Sequence, residues 1–169
     1  DSGRIQGVAD EGGFWPVFDS NEEGIKLLIR AIEKSKKTPG QDIALSLDIA
    51  ASEFGNDGNY RLSRDNLVID SDTLCGMLVD WVEKYPIVSI EDPLAEDDVD
   101  GLTRFTWAVG KRVQVVGDDF LVTNSDRINA AAKNAACNAV LIKPNQAGTI
   151  SETKAAFDAA EASGYSSII

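Results

Sequence analysis

The sequence predicts an α/β fold built on parallel strands. Three observations carry that reading. Short aliphatic runs alternate with longer segments whose apolar residues recur at helical spacing. The short runs are apolar throughout rather than alternating, as strands are when both faces are covered. The connections are short, which favours right-handed strand–helix–strand crossovers. With 169 residues, 43% of them hydrophobic and 26% charged, the chain can bury the core of one domain.

In chain order, Ser20 to Lys37 reads as a helix, with Ser20 and Glu23 at capping-box spacing and a basic tail. Asp42 to Ile49, "DIALSLDI", reads as a strand, and the Gly-rich "GNDGNYRL" (Gly55 to Leu62) as a hairpin-like excursion. Asp70 to Tyr85 is a helix that Ser71 or Asp72 could cap. Its Leu74, Met77, Leu78, Trp81, Val82 and Tyr85 share one side. The strand "PIVSIE", the helix "DDVDGLTRFTWAVG" and the strand "VQVVG" (Val113 to Gly117) follow. Next come a helix from Asn124 to Ala136, a strand from Asn138 to Lys143, and a helix from Thr149 that stops at Gly164. "YSSII" opens one more strand. Two architectures fit: a doubly wound open sheet, or a (β/α) barrel of which about five strands are visible, too few to close eight. No glycine-rich phosphate fingerprint follows a strand, which weakens a nucleotide-binding reading.

A net charge of −12 argues against a nucleic-acid backbone as partner. Histidine is absent, which removes the usual imidazole base and the usual zinc ligand. Cys75 and Cys137 stand far apart without metal-type spacing and read as buried free thiols, which fits a reducing cytoplasm. No apolar run is long enough to span a bilayer. Chemistry within this chain therefore falls to carboxylates, lysines, a metal, or atoms supplied from elsewhere.

Four successive strands finish on charged residues: Asp48, Glu91, Asp118 and Lys143. In a parallel α/β fold the C-terminal strand ends share one face, and that face carries the site. One acid at one strand end is ordinarily solvated, or caps the next helix; Asp118 or Asp119 could do that. Four in succession point to a constellation. Crowded carboxylates repel, and a divalent cation relieves them; an all-oxygen donor set selects Mg²⁺, Mn²⁺ or Ca²⁺. Beside such a cation the ammonium form of Lys143 is disfavoured, so Lys143 could act as a general base next to a substrate carboxylate. The stretch "ADEGGFWP" (Ala9 to Pro16) reads either as an ordinary glycine turn or as a loop carrying a carboxyl over the mouth.

Five stretches, "DEGGFWP", "LSLDIAASEF", "YPIVSIEDPLAEDD", "VQVVGDDFLVTN" and "VLIKPNQAGTISET", run in the order found in the enolases, and the chain resembles that family over nearly its whole length. The resemblance implies a TIM-type (β/α) barrel of the enolase superfamily, present here as the central part of the C-terminal barrel domain. The family's N-terminal domain, its serine loop and its last barrel strands are expected to lie outside these residues. It further implies that Asp48, Glu91 and Asp118 bind Mg²⁺, with Glu91 and Asp118 also beside the substrate. Lys143 would be the base that takes the α-proton of 2-phosphoglycerate. Glu11 would be the acid that helps the 3-hydroxyl leave, giving phosphoenolpyruvate, a glycolytic step. Asp119 would support its neighbour, while Asp92 and Pro93 shape the turn after Glu91. A homodimer or larger homo-oligomer of the intact protein is expected by the same resemblance, and an isolated segment is expected to be inactive. Trp15-Pro16-Val17 stands where the family commonly has Ala-Pro-Asn, so the stretch departs from the family at Trp15 and Val17. A dehydratase of sugar acids and a non-catalytic, surface-binding role are the alternatives.

Overall fold

The computed structural model describes residues 5–9, 12–63 and 66–169. A hairpin of β1 (Ile5–Val8) and β2 (Phe14–Pro16) leads into α1 (Asn21–Lys34) and β3 (Leu45–Asp48). An antiparallel excursion follows: β4 (Gly55–Asn56), β5 (Asn59–Leu62) and β6 (Leu67–Asp70). Then come α2 (Ser71–Lys84), β7 (Ile87–Glu91), α3 (Val99–Val109), β8 (Gln114–Gly117) and α4 (Ser125–Asn134). The chain continues through β9 (Ala139–Leu141), α5 (Pro144–Ala147), α6 (Ile150–Ala162) and β10 (Ser166–Ile168).

Strands β3, β7, β8, β9 and β10 lie side by side in chain order, every neighbouring pair parallel. A doubly wound sheet reverses its order at a switch point; this one never does. Right-handed crossovers in one direction place the helices on one face, and the sheet is a run of barrel staves. That decides between the two architectures in favour of the barrel, as a partial arc. The core joins Ile90, Val115 and Val140 of the strands to Leu78, Phe105, Ile128 and Ala156 of the helices, all within one buried cluster.

The caps explain why the helices start where they do. Ser20 accepts from Glu23 N at 3.3 Å, while the Glu23 carboxylate reaches back to Asp19 N at 2.7 Å. The cap of helix α2 lies one residue before Ser71, the nearer of the two expected. Asp70, not Ser71 or Asp72, accepts from Thr73 N at 2.8 Å. Thr149 caps α6, and Gly164 just beyond its end takes φ +75°, a conformation that favours glycine.

The strand expected over Asp42 to Ile49 is shorter. The Asp42 side chain instead accepts from Thr38 N at 2.8 Å and closes a turn. Residues Gly55 to Leu62 do form a hairpin, extended by β6. Tyr60, fully buried, ties this excursion to the barrel: its hydroxyl donates to Asp98 Oδ2 at 2.9 Å and accepts from Ala95 N at 3.0 Å. Cys75 and Cys137 are unpaired thiols; Cys137 is buried as expected, whereas Cys75 is only half-buried. Among the described residues no helix is long and apolar enough to cross a membrane.

Candidate active site

The strand ends meet as the parallel order requires. Asp48 and Glu91 are register partners across β3 and β7, and Glu91 lies opposite Val116 of β8. Beyond Val116 the chain passes Gly117 and reaches Asp118. A Cβ on Gly117 would stand 2.7 Å from the Leu121 side chain, so glycine lets residues 118–121 fold back over the strand end. That turn closes on the Asp118 carbonyl, which accepts from Leu121 N and Val122 N.

Asp92 ties three strand ends together. It is buried, at 3% exposure, and takes φ +38°. Its Oδ1 accepts from Asp118 N at 3.0 Å, and its Oδ2 from Asp119 N at 2.8 Å. Its own amide donates to Val116 O, and its carbonyl accepts from Ala51 N. The expectation that Asp92 shapes the turn after Glu91 agrees with these bonds. The carboxylate does more than the turn demands, because it fixes the direction of the next strand's end.

The Asp118 carboxylate is held from two sides. Oδ2 accepts from Lys143 Nζ at 2.5 Å, and Oδ1 from Gln146 Nε2 at 3.2 Å. Gln146 is steadied by Thr123, whose hydroxyl stands 2.7 Å from Gln146 Oε1 and accepts from Lys143 N at 3.0 Å. Thr123 is buried and takes φ +50°, directly after Val122 at +43°. Two successive β-branched residues in the left-handed region cost about 1–3 kcal/mol each, and such strain gathers where a site needs it.

Electrostatics agree with the crowding. Burial, then the charges of Asp48 and Asp118, push Glu91 up to about 7. Burial also pushes Asp92 up to about 6 against the pull of its two amide donors. Asp48 is raised too, by partial desolvation first and by the charges of Asp118 and Asp119, with the Ala50 amide opposing. Glu91 and Asp48 are raised in part by neighbouring carboxylate charges, so positive charge is lacking at these strand ends, and the donors are all oxygen. The residues present therefore fit a hard divalent cation.

The tightest acidic group among the described residues is not the trio read from the sequence. Oxygens of Asp92, Asp118 and Asp119 all lie within 4.8 Å of one another. Both Asp92 oxygens already serve backbone amides, so Asp92 reads as a brace within that group. Asp118 belongs to both sets; Glu91 ends the neighbouring strand β7, and Asp48 ends β3 on the far side of Glu91. The hydrogen bond to Asp118 raises the pKa of Lys143, with burial opposing; a cation beside it would act in the opposite direction.

Glu11 lies outside the described residues. Beside it, Gly12 takes φ +85° in the turn of the first hairpin, and Trp15 is exposed rather than packed into the core. Thr123 and Gln146 were not singled out from the sequence. A threonine in a turn and a glutamine after a strand carry no spacing signal, and only the fold brings them to Asp118.

The sequence profile of the enolase C-terminal TIM barrel domain matches residues 2–169. The chain is also similar to Enolase 1 of Desulfitobacterium hafniense (strain Y51), 45% identical over 171 residues. That alignment covers 99% of this chain and 39% of the relative, so the chain spans about two-fifths of the length of the protein it matches. The arc of parallel strands in chain order and the match over nearly every residue agree, and the chain belongs to the enolase family as a segment of its C-terminal barrel domain.

Proposed function

We propose that this segment carries the base and the cation-binding carboxylates of an enolase-type hydro-lyase, which dehydrates 2-phosphoglycerate to phosphoenolpyruvate in the intact protein. The observation that carries the reading is the clustering of Lys143, Asp118, Glu91 and Asp48 at the C-terminal ends of neighbouring parallel strands. Asp48, Glu91 and Asp118 would hold Mg²⁺. The bound cation supplies positive charge where the substrate carboxylate gains negative charge.

The residues of the chain then have distinct work. Lys143 Nζ accepts the proton as the C2–H bond breaks. Glu11 protonates the departing hydroxyl as the C3–O bond breaks, and the C2–C3 double bond forms. For Lys143 to accept a proton it must first release its own ammonium proton to solvent and give up its ion pair with Asp118, and that opening frees Asp118 Oδ2. The buried setting of Asp118, at 8% exposure, keeps that carboxylate aimed at the mouth while the pair opens.

The test is turnover of 2-phosphoglycerate with Mg²⁺ in the intact protein, followed by the ultraviolet absorbance of phosphoenolpyruvate. Lys143→Ala is expected to lower kcat by roughly 10²–10⁴-fold, the usual contribution of a positioned base. It should also abolish exchange of the C2 proton with deuterated solvent. Wild-type turnover in that variant, or a wild-type protein inert toward 2-phosphoglycerate, overturns the reading.

A further inference from the structure

We propose that Gln146 and Thr123 are positioning residues that set the direction of the Asp118 carboxylate. The inference rests on the hydro-lyase reading and names two residues which that reading does not need. The geometry runs as a chain of contacts. The Thr123 hydroxyl accepts from Lys143 N at 3.0 Å, and its single proton can then go to Gln146 Oε1 at 2.7 Å. The approach to Leu141 O, at 3.3 Å, is the weaker alternative. With Oε1 so engaged, the other end of the amide is fixed as the donor, and Nε2 meets Asp118 Oδ1 at 3.2 Å.

The two side chains that donate to Asp118 have different fates. Lys143 must let go of Oδ2 to act as a base. Gln146 has no such duty, so it holds Oδ1 throughout. Thr123 meanwhile fixes the backbone of Lys143 itself, so one buried hydroxyl registers the base and the carboxylate against each other. Thr123 is buried at 2% exposure and takes φ +50°, and in that position its hydroxyl meets Lys143 N and Gln146 Oε1 together.

Partners that orient a ligating carboxylate typically alter metal affinity or activity by roughly 10–100-fold when lost. Mg²⁺ is therefore titrated calorimetrically into the substrate-free intact protein, with kcat and KM measured separately. Gln146→Leu and Thr123→Val are expected to weaken Mg²⁺ binding by about that factor and to lower kcat more than they raise KM. Thr123→Ser keeps the hydroxyl and should restore both, to within about threefold of wild type. In Mg²⁺ affinity the double variant should be no worse than Gln146→Leu alone, because the two act in series on Asp118, whereas kcat should fall further, because Thr123 also holds Lys143 N.

Asp118→Asn separates the two claims. If it weakens Mg²⁺ binding while Gln146→Leu and Thr123→Val bind as wild type does, the positioning role is overturned and the hydro-lyase reading stands. A wild-type protein that gives no Mg²⁺ isotherm overturns both. A uniform loss of thermal stability with unchanged Mg²⁺ affinity also overturns the positioning role. Should Thr123→Val fail to fold, Gln146→Leu decides, since Gln146 is half-buried and lies outside the apolar core.

Discussion

Asp118 and Asp48 are the same residue type at the ends of two staves, yet they sit in opposite surroundings. Asp118 is buried, its carboxylate is bonded to Lys143 and Gln146, and its amide is pinned by Asp92. Asp48 is exposed, and its Oδ1 accepts from the Ala50 amide two residues on. It also faces an apolar cavity of about 680 Å³ whose walls include Phe14, Phe18, Leu28, Leu47 and Trp81. One side of the site is preorganised by hydrogen bonds made before any ligand arrives; the other is held by local backbone alone. Preorganised groups lose little freedom on binding, whereas Asp48, in its proposed role as a cation ligand, would have to be ordered first.

The sharpest way to break that contrast is to remove the brace. Asp92→Ala leaves the amides of Asp118 and Asp119 without acceptors at a buried site, each loss worth about 1–3 kcal/mol. Part is regained because a carboxylate pushed up to about 6 by burial is no longer there to ionise. The expected net loss is about 2 kcal/mol in urea unfolding at neutral pH, with Mg²⁺ binding weakened as well. Asp92→Asn keeps one acceptor and should fall between. A loss of Mg²⁺ affinity with stability unchanged would show that Asp92 is a ligand and not a brace.

How much of this was legible beforehand follows the same division. Asp48, Glu91, Asp118 and Lys143 could be read because each ends an apolar run, and parallel strands send such ends to one face. The order of the staves could not be read, since hydrophobic runs show that strands are buried but not which neighbours they take. The Asp70 cap was missed by one residue because three consecutive positions, Asp70, Ser71 and Asp72, all suit the role. The roles of Thr123 and Gln146 depend on a turn with two successive positive φ values at Val122 and Thr123, where β-branched residues give no warning. Contacts made across a strained loop are tertiary facts, and local pattern is silent about them.

Glu91 lies between the two regions, and its charge state measures their repulsion. Its ordinary pKa is 4.5, and in the folded cation-free protein it is pushed up to about 7. Between those values the folded state binds the proton that the unfolded state has released. Its contribution therefore favours folding below about 4.5 and is lost as pH rises through about 7. Glu91→Gln should stabilise the cation-free protein at pH 8 by about 1 kcal/mol, once solvent screening of this half-buried group is allowed for. Near pH 4 it should do little. Urea unfolding of both proteins in the presence of a chelator checks this. Equal effects at both pH values would remove charge crowding as the cause.

The smallest effect on stability is expected at Asp48, and it bears most directly on the contrast. Asp48→Asn retains an Oδ1 that can accept from Ala50 N, so the turn into Ala50, at φ +47°, survives. The lost charge had been resisted by desolvation and by Asp118 and Asp119, which outweigh the opposing help of the Ala50 amide and the Lys143 charge, so little that is favourable leaves with it. Unfolding should shift by no more than about 0.5 kcal/mol, as for exposed positions generally. Glu91 loses a repelling neighbour, and its pKa, followed by carboxyl carbon resonances, should move down from about 7. Mg²⁺ affinity should fall, because an amide oxygen replaces a charged donor. If instead Asp48→Asn destabilises the fold as much as Asp92→Ala does, this edge of the site is braced like the other, and the division between a fixed and an adjustable carboxylate is gone.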